Sequence, residues 1–281
     1  MELSKKEFDK IKEIELDILY EIDRICKEHN ISYSLTAGTL LGAVRHQGFI
    51  PWDDDIDIMM VREQYEKFIS VARDHMCKKF FVVDYRYDDY YAFPFAKVMA
   101  RNTVFKEKTN LNCKAPCGVF VDIFPLDPTS KILKERVKQY KKAQTIKSRL
   151  LCQSNYNFEQ KKIKNMVWNI RKICYSLFSH DLFVKQFEKC KDIYKSGGSD
   201  YYISLCGTIG AEKASIPKEW LENYTEIQFE NNLYPVISHY KELLNKYYGN
   251  YMLLPPKEQQ IAHHFICELD LSSYDSKGGS L

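Results

Sequence analysis

Four aspartates crowd one short stretch of the chain, Asp53-Asp54-Asp55-Ile56-Asp57. If Ile56 to Val61 is a strand, alternation puts Asp55 and Asp57 on one face and Ile56, Ile58 and Met60 on the other, where they can bury. Neighbouring carboxylates repel, and they persist at low cost only where water, a basic group or a cation lies between them. Oxygen ligands at this spacing suit a hard divalent ion, Mg²⁺ first and Mn²⁺ second. The competing reading is a solvated acidic turn, common on protein surfaces. A calcium loop is excluded: with Asp53, Asp55 and Asp57 at its first, third and fifth positions, the sixth is Ile58 instead of Gly and the twelfth is Gln64 instead of Glu.

Immediately upstream, Ser32 to Thr36 reads as a short strand that turns through Ala37-Gly38-Thr39 into a short helix, Leu40 to Arg45. Gly38 permits close backbone approach, and the free N–H groups of Gly38 and Thr39 at a helix start form a ready anion site. Arg45 and His46 close that helix, either as phosphate contacts or simply as complements to its negative end. Further along, Lys97 lies inside an apolar run and so needs an anion, structural or bound. Asp122, between Val121 and Ile123, is an equally isolated acid that calls for a partner or a function.

The elements that must position these groups follow from hydrophobic spacing. Ser4 to His29 reads as an amphipathic helix with Phe8, Ile11, Ile14 or Glu15, Ile18, Ile22 and Ile25 on one side, and Ser4 with Glu7 forms a capping box. Its role is packing. Arg62 to Met76 reads as a helix covering the apolar side of the Asp-bearing strand. Lys79 to Asp84, Phe93 to Met99 and Val119 to Phe124 read as further strands, rich in Phe and Val. Beyond Lys131 long helical segments are expected, broken near Ser154-Asn155 and at Ser196-Gly197-Gly198, with a polar tail from Ser272 to Leu281 expected to be disordered.

The segment GTLLGAVRHQGFIPWDDDIDI resembles the signature of the LicD family of phosphocholine transferases, relatives of fukutin within the nucleotidyltransferase fold superfamily. PFAKVMARNTVF (Pro94 to Phe105), GVFVDIFPLD (Gly118 to Asp127) and YGNYMLLPPKEQQIAHH (Tyr248 to His264) resemble the later family blocks. The resemblance implies an α/β fold: a nucleotidyltransferase-like mixed β-sheet with flanking helices and a helical extension. The expected division is a catalytic core over 1–130, a basic helical extension over 131–200 and a part closing the active site over 201–271. The resemblance further implies transfer of a phospho-substituted alcohol, phosphocholine from CDP-choline first among them, to a hydroxyl of a cell-surface glycan precursor such as lipopolysaccharide or teichoic acid, with release of CMP. Asp55, Asp57 and Asp122 would carry catalysis and Mg²⁺, with Asp122 either metal ligand or general base. Asp53 and Asp54 would assist from the preceding loop. Gly38, Thr39, Arg45, His46 and Lys97 would bind the donor, and His263 and His264 either would be brought back to the site or belong to a surface tail. Trp52, Tyr90 and Tyr91 are candidates to cage a quaternary ammonium, although with 14% aromatic residues they could equally be core. Two other classes share these features: a nucleotidyltransferase making a CDP-activated donor from CTP, and a non-catalytic RNA-binding protein, for which three converging acids would have no use.

The 281 residues suffice for one large domain or one domain with an extension, and 45% hydrophobic with 28% charged residues is an ordinary globular composition. Nine cysteines without a CxxC pair form neither a zinc nor a disulfide framework; Cys113 and Cys117 read as ordinary thiols. No apolar run approaches the ~18 residues of a membrane span, so a cytoplasmic protein is expected. The net charge of +3 conceals an asymmetry: residues 131–172 hold thirteen Lys or Arg against Glu135 and Glu159, a local +11 that leaves −8 elsewhere. Within it, Ile163, Met166, Val167, Ile170, Cys174 and Leu177 form an apolar stripe beside Lys161, Lys162, Lys164, Arg171 and Lys172. Such a segment is either simply a solvated helix face or a helix that lies on an anionic leaflet; peripheral membrane contact through 131–178 is the expectation, and nucleic acid is not.

Overall fold

The isoleucine stripe of the N-terminal segment forms α1 (Lys5–Glu28) and is fully buried at Ile11, Ile14, Ile18, Ile22 and Ile25. Its start is the expected capping box: the Ser4 hydroxyl accepts from Glu7 N at 3.2 Å, and Ser4 N donates to the Glu7 carboxylate at 2.8 Å. The computed structural model describes residues 3–158, 162–195, 199–262 and 265–274. After α1 come β1 (Ser34–Leu35), α2 (Ala37–His46), β2 (Asp57–Val61), α3 (Arg62–His75), β3 (Phe80–Val83), β4 (Ala96–Ala100), β5 (Val104–Glu107) and β6 (Phe120–Thr129).

The main sheet runs β1-β2-β6-β4-β3. Only β2 and β6 pair in parallel; β1–β2, β6–β4 and β4–β3 are antiparallel. This is the mixed sheet with flanking helices that the family resemblance implies. β4 begins three residues later than the apolar run because Pro94 has no N–H for a ladder bond, and Phe93 to Phe95 instead approach the edge of the site. α3 is fastened to the sheet by a buried bidentate pair, Arg62 to Asp127 on β6 at 2.6 and 3.0 Å.

The helical extension is α4 (Leu133–Gln153), α5 (Lys162–Ser176) and α6 (His180–Lys191). α4 ends where expected, with Asn155 in the left-handed region at φ 64°; the break expected at 196–198 lies outside the described residues. The chain then returns to the core. β7 (Tyr201–Ile203) pairs with the far end of β6, and α7 (Ala211–Ala214) leads into β8 (Ser215–Pro217) beside it. The hairpin β9 (Tyr224–Phe229) and β10 (Asn232–Ile237) precedes α8 (Tyr240–Tyr248), and β11 (Ile266–Asp270) pairs with β5. The first residues of the tail expected to be disordered are instead packed: Tyr274 is buried, and its hydroxyl donates to Asp17 on α1 at 2.8 Å. Residues 275–281 lie outside the described residues. All nine cysteines are free thiols, and among the described residues no helix is long and apolar enough to cross a membrane.

Candidate active site

Asp57 opens β2 and is pinned through its backbone on both sides: its N–H donates to the Thr39 hydroxyl at 2.8 Å, and its carbonyl accepts from Thr36 N at 3.1 Å. The parallel register places it beside Asp122 on β6, and the antiparallel register of β4 places Lys97 beside Asp122 in turn. Register partners point to the same side of a sheet, so Lys97, Asp122 and Asp57 form one row across three strands. Lys97 Nζ lies 2.7 Å from Asp122 Oδ1 and 3.1 Å from the centre of the Phe120 ring. The anion that Lys97 requires is therefore, in this structure, the other isolated charge of the sheet.

Asp55 stands two residues before β2, in the loop rather than on the expected strand face, and lines the same cleft as Asp57. Asp53, Asp54 and Asp55 each bring a carboxylate oxygen to within 4.8 Å of the others, so the two loop acids that the sequence reading set at a distance stand in the same cluster. Burial, then the charges of Asp55, Asp122 and Asp53, push the Asp57 carboxyl well above the usual carboxylate range, with Lys97 pulling it back. A sixth acid lies behind them. Glu15 of α1 is almost wholly buried, and burial with the charges of Asp55 and Asp54 holds its carboxyl high. The sequence signal for it was a glutamate on the apolar stripe of a helix otherwise read as packing.

The Ala37-Gly38 turn sits against this cluster. Ala37 adopts φ 47°, an uncommon conformation for a residue with a Cβ, and a Cβ on Gly38 would lie 2.4 Å from Asp53 Oδ2. The close approach that Gly38 permits is thus to a carboxylate of this chain. Thr39 is buried with its hydroxyl committed to Asp57 N, so its side chain positions the strand. Gly38, Asp53, Asp55 and Asp57 line a cleft of about 640 Å³ together with Arg45 and Trp52.

The other wall of that cleft is the closing block. α8 ends at Gly249, whose φ of 69° turns the chain, and Tyr248, Tyr251, Leu254 and Pro255 face the acids. Arg45 Nη1 donates to the carbonyls of Tyr251 at 3.1 Å and Leu253 at 3.3 Å, which ties this wall to α2. Burial and the charges of Asp57 and Asp53 raise the Tyr248 hydroxyl; sequence reading passed over this tyrosine. His46 packs edge-on to Trp52, which lines the cleft, but does not line it itself. His263 and His264 lie outside the described residues.

On the other side of the row, Lys97 and Asp122 line a second pocket of about 170 Å³, walled by Tyr91, Phe93, Phe95, Phe105 and Tyr156. The Tyr91 hydroxyl is buried beside Asp122 and has no hydrogen-bond partner among the described residues. Of the three aromatics considered for a cation cage, Tyr91 alone lines this pocket; Trp52 belongs to the larger cleft, and Tyr90 is exposed.

Comparison with known sequences places the geometry in context. A sequence model of the family described as "LicD/FKTN/FKRP, nucleotidyltransferase domain" matches residues 30–164, the span from β1 into α5. The lipopolysaccharide cholinephosphotransferase LicD of Haemophilus influenzae is 32% identical over 263 residues, 89% of this chain and 92% of that protein. An uncharacterized protein of Rickettsia typhi is 48% identical over 54 residues, 19% of this chain and 18% of its own.

Proposed function

The chain belongs to the LicD/FKTN/FKRP family, and on that premise we propose that it transfers phosphocholine from CDP-choline to a hydroxyl of a cell-surface or lipid-linked glycan, releasing CMP. The observation that carries this reading is the row Lys97, Asp122 and Asp57, which stands between an acid-lined cleft and an aromatic pocket. A donor with a nucleotide at one end and a quaternary ammonium at the other needs two such compartments flanking its phosphates.

The acids fit a hard cation: carboxylate oxygens of Asp53, Asp54 and Asp55 converge, strand register sets Asp57 beside Asp122, and Asp57 sits in a field that opposes its ionisation until positive charge arrives. Mg²⁺ held by Asp55, Asp57 and Asp122, with Asp53 and Asp54 beside them, would neutralise the donor pyrophosphate and stabilise departing CMP. Arg45, on the cleft wall, supplies positive charge for the nucleotide phosphate, and the α2 start at Gly38 faces the same space. Lys97 pairs with Asp122 at 2.7 Å and lines the pocket with it, and its charge would be shared with the transferred phosphate. Lys97 already stands over Phe120 and Phe95, so the rings left for the trimethylammonium are Tyr91, Phe93, Phe105 and Tyr156. In the transfer, the acceptor oxygen forms a new bond to the choline-bearing phosphorus as the bond to CMP breaks, and Asp122 or a neighbouring acid takes the hydroxyl proton.

The test is to incubate the protein with Mg²⁺ and a series of CDP-linked donors, without CTP, and to follow CMP. CMP from CDP-choline in preference to CDP-ribitol supports the reading. Preference for CDP-ribitol moves the head group while keeping the reaction class. Pyrophosphate from CTP, with no CMP from any CDP compound, replaces it with synthesis of an activated donor.

A further inference from the structure

α5 is amphipathic, and the structure orients it the unusual way round. Its polar side faces the protein: Trp168 Nε1 donates to Tyr156 O at 3.0 Å, Arg171 Nη2 to Ser148 Oγ at 3.0 Å and Lys172 Nζ to Asn155 Oδ1 at 2.9 Å. Its apolar side faces solvent. Met166, Val167, Ile170 and Ile173 recur at helical spacing, Leu177 and Phe178 extend the stripe past the helix end, and exposure rises along it from 53% at Ile170 and 69% at Ile173 to 83% at Leu177. A helix with an apolar stripe ordinarily turns it to the core. Here the inner positions are held by hydrogen bonds from Trp, Arg and Lys, so the exposed stripe cannot be buried by rolling the helix without breaking them.

We propose that this face is a docking surface for an anionic lipid leaflet. Charge selects that occupant. The neighbouring α4 exposes Lys134, Lys138, Lys141 and Lys142, and α5 adds Lys164, whereas α4 and α5 together carry one acid, Glu135, which is engaged by the Ser130 hydroxyl. A second copy of the chain would bring the same positive field to the interface and be repelled; a negatively charged bilayer offers both the apolar depth and the counter-charge. Arg171 and Lys172, which the sequence pattern assigned to the lipid side, are instead the inward anchors. The position of the surface is apt for an acceptor carried on lipid. Asn165, Trp168 and Asn169 of α5 line a cavity of about 500 Å³ with Glu107 and Thr109, and the last two also line the aromatic pocket beside Asp122. The docking surface does not depend on the identity of the donor.

The experiment is flotation of the full chain with phosphatidylcholine vesicles, with and without phosphatidylglycerol, alongside the soluble turnover assay. The expected result is binding to the phosphatidylglycerol vesicles that weakens about tenfold or more at high salt. Ile170→Glu with Ile173→Glu abolishes it while leaving the thermal midpoint and turnover of soluble CDP-choline unchanged, because both side chains are exposed and outside the site. Lys134→Glu with Lys138→Glu and Lys141→Glu removes the preference for anionic lipid. Absence of binding at low salt, binding unaffected by the isoleucine substitutions, or a dimer that those substitutions dissociate would each overturn the proposal.

Discussion

Asp57 is held through its backbone on both sides, with a carboxylate partner in register and a lysine one strand further. Asp57→Asn and Asp55→Asn keep the shape and remove the charge. Each is expected to lower turnover on the order of 100-fold or more, about 3 kcal/mol of transition-state stabilisation. Asp57→Asn should not lower the thermal midpoint of the metal-free protein, because the charge it removes is one that burial and three neighbouring acids oppose; calorimetry beside a CMP-release assay separates the two effects. Full turnover after exhaustive chelation would sink the metal assignment. Gly38→Ala is expected to reduce turnover by about tenfold or more with little change in stability, since the new Cβ meets the Asp53 carboxylate, the movable end of a side chain at the centre of the acidic cluster.

At the scale of elements, two contacts fix how α2 and α3 present the acids. A Cβ on Gly42 would lie 2.4 Å from Gly48 O and 3.2 Å from Ile50 N, backbone atoms of the turn that carries the chain from α2 towards the acidic loop. Backbone yields less readily than a side-chain end, so Gly42→Ala is expected to destabilise by about 1–3 kcal/mol, measured by chemical denaturation. The buried Arg62–Asp127 pair joins α3 to β6. Arg62→Leu strands a buried carboxylate, and a loss of about 3–5 kcal/mol is expected; combining it with Asp127→Leu should recover much of that loss. The paired charges would then prove to specify the docking of α3 more than its stability.

For the whole molecule, the C-terminal third matters because it returns to the site. Arg45 is the tie between α2 and the closing wall, so Arg45→Ala is expected to raise the KM for the CDP donor by about tenfold or more, from the lost phosphate charge and the loosened Tyr251–Leu253 segment together. Steady-state kinetics with varied donor checks this. Truncation at residue 260 removes β11 from β5 and Tyr274 from α1, and it should lower the thermal midpoint as well as activity. A truncated chain that melts like the full one would show those contacts to be unimportant.

What the sequence determined by itself was periodicity and chemistry. The isoleucine spacing of α1, its Ser4–Glu7 cap, the paired acids at Asp55 and Asp57 and the isolated charges at Lys97 and Asp122 were all readable, because each rests on residues close along the chain. The fold class was readable too, through the resemblance its motif blocks carry. Tertiary structure alone decided which lone charge meets which: Lys97 and Asp122 are 25 positions apart, and only strand register makes them partners. It likewise brought Glu15 behind the acidic loop, gathered the rings of the aromatic pocket from the segment before β4, from β5 and β6, and from the turn after α4, and drew the first residues of the polar tail onto α1. The orientation of α5 is the clearest case. A helical period states which side chains share a face; which face turns inward is settled by competition among every surface of the fold, and here hydrogen bonds from Trp168, Arg171 and Lys172 won the inner side and left the isoleucines outside.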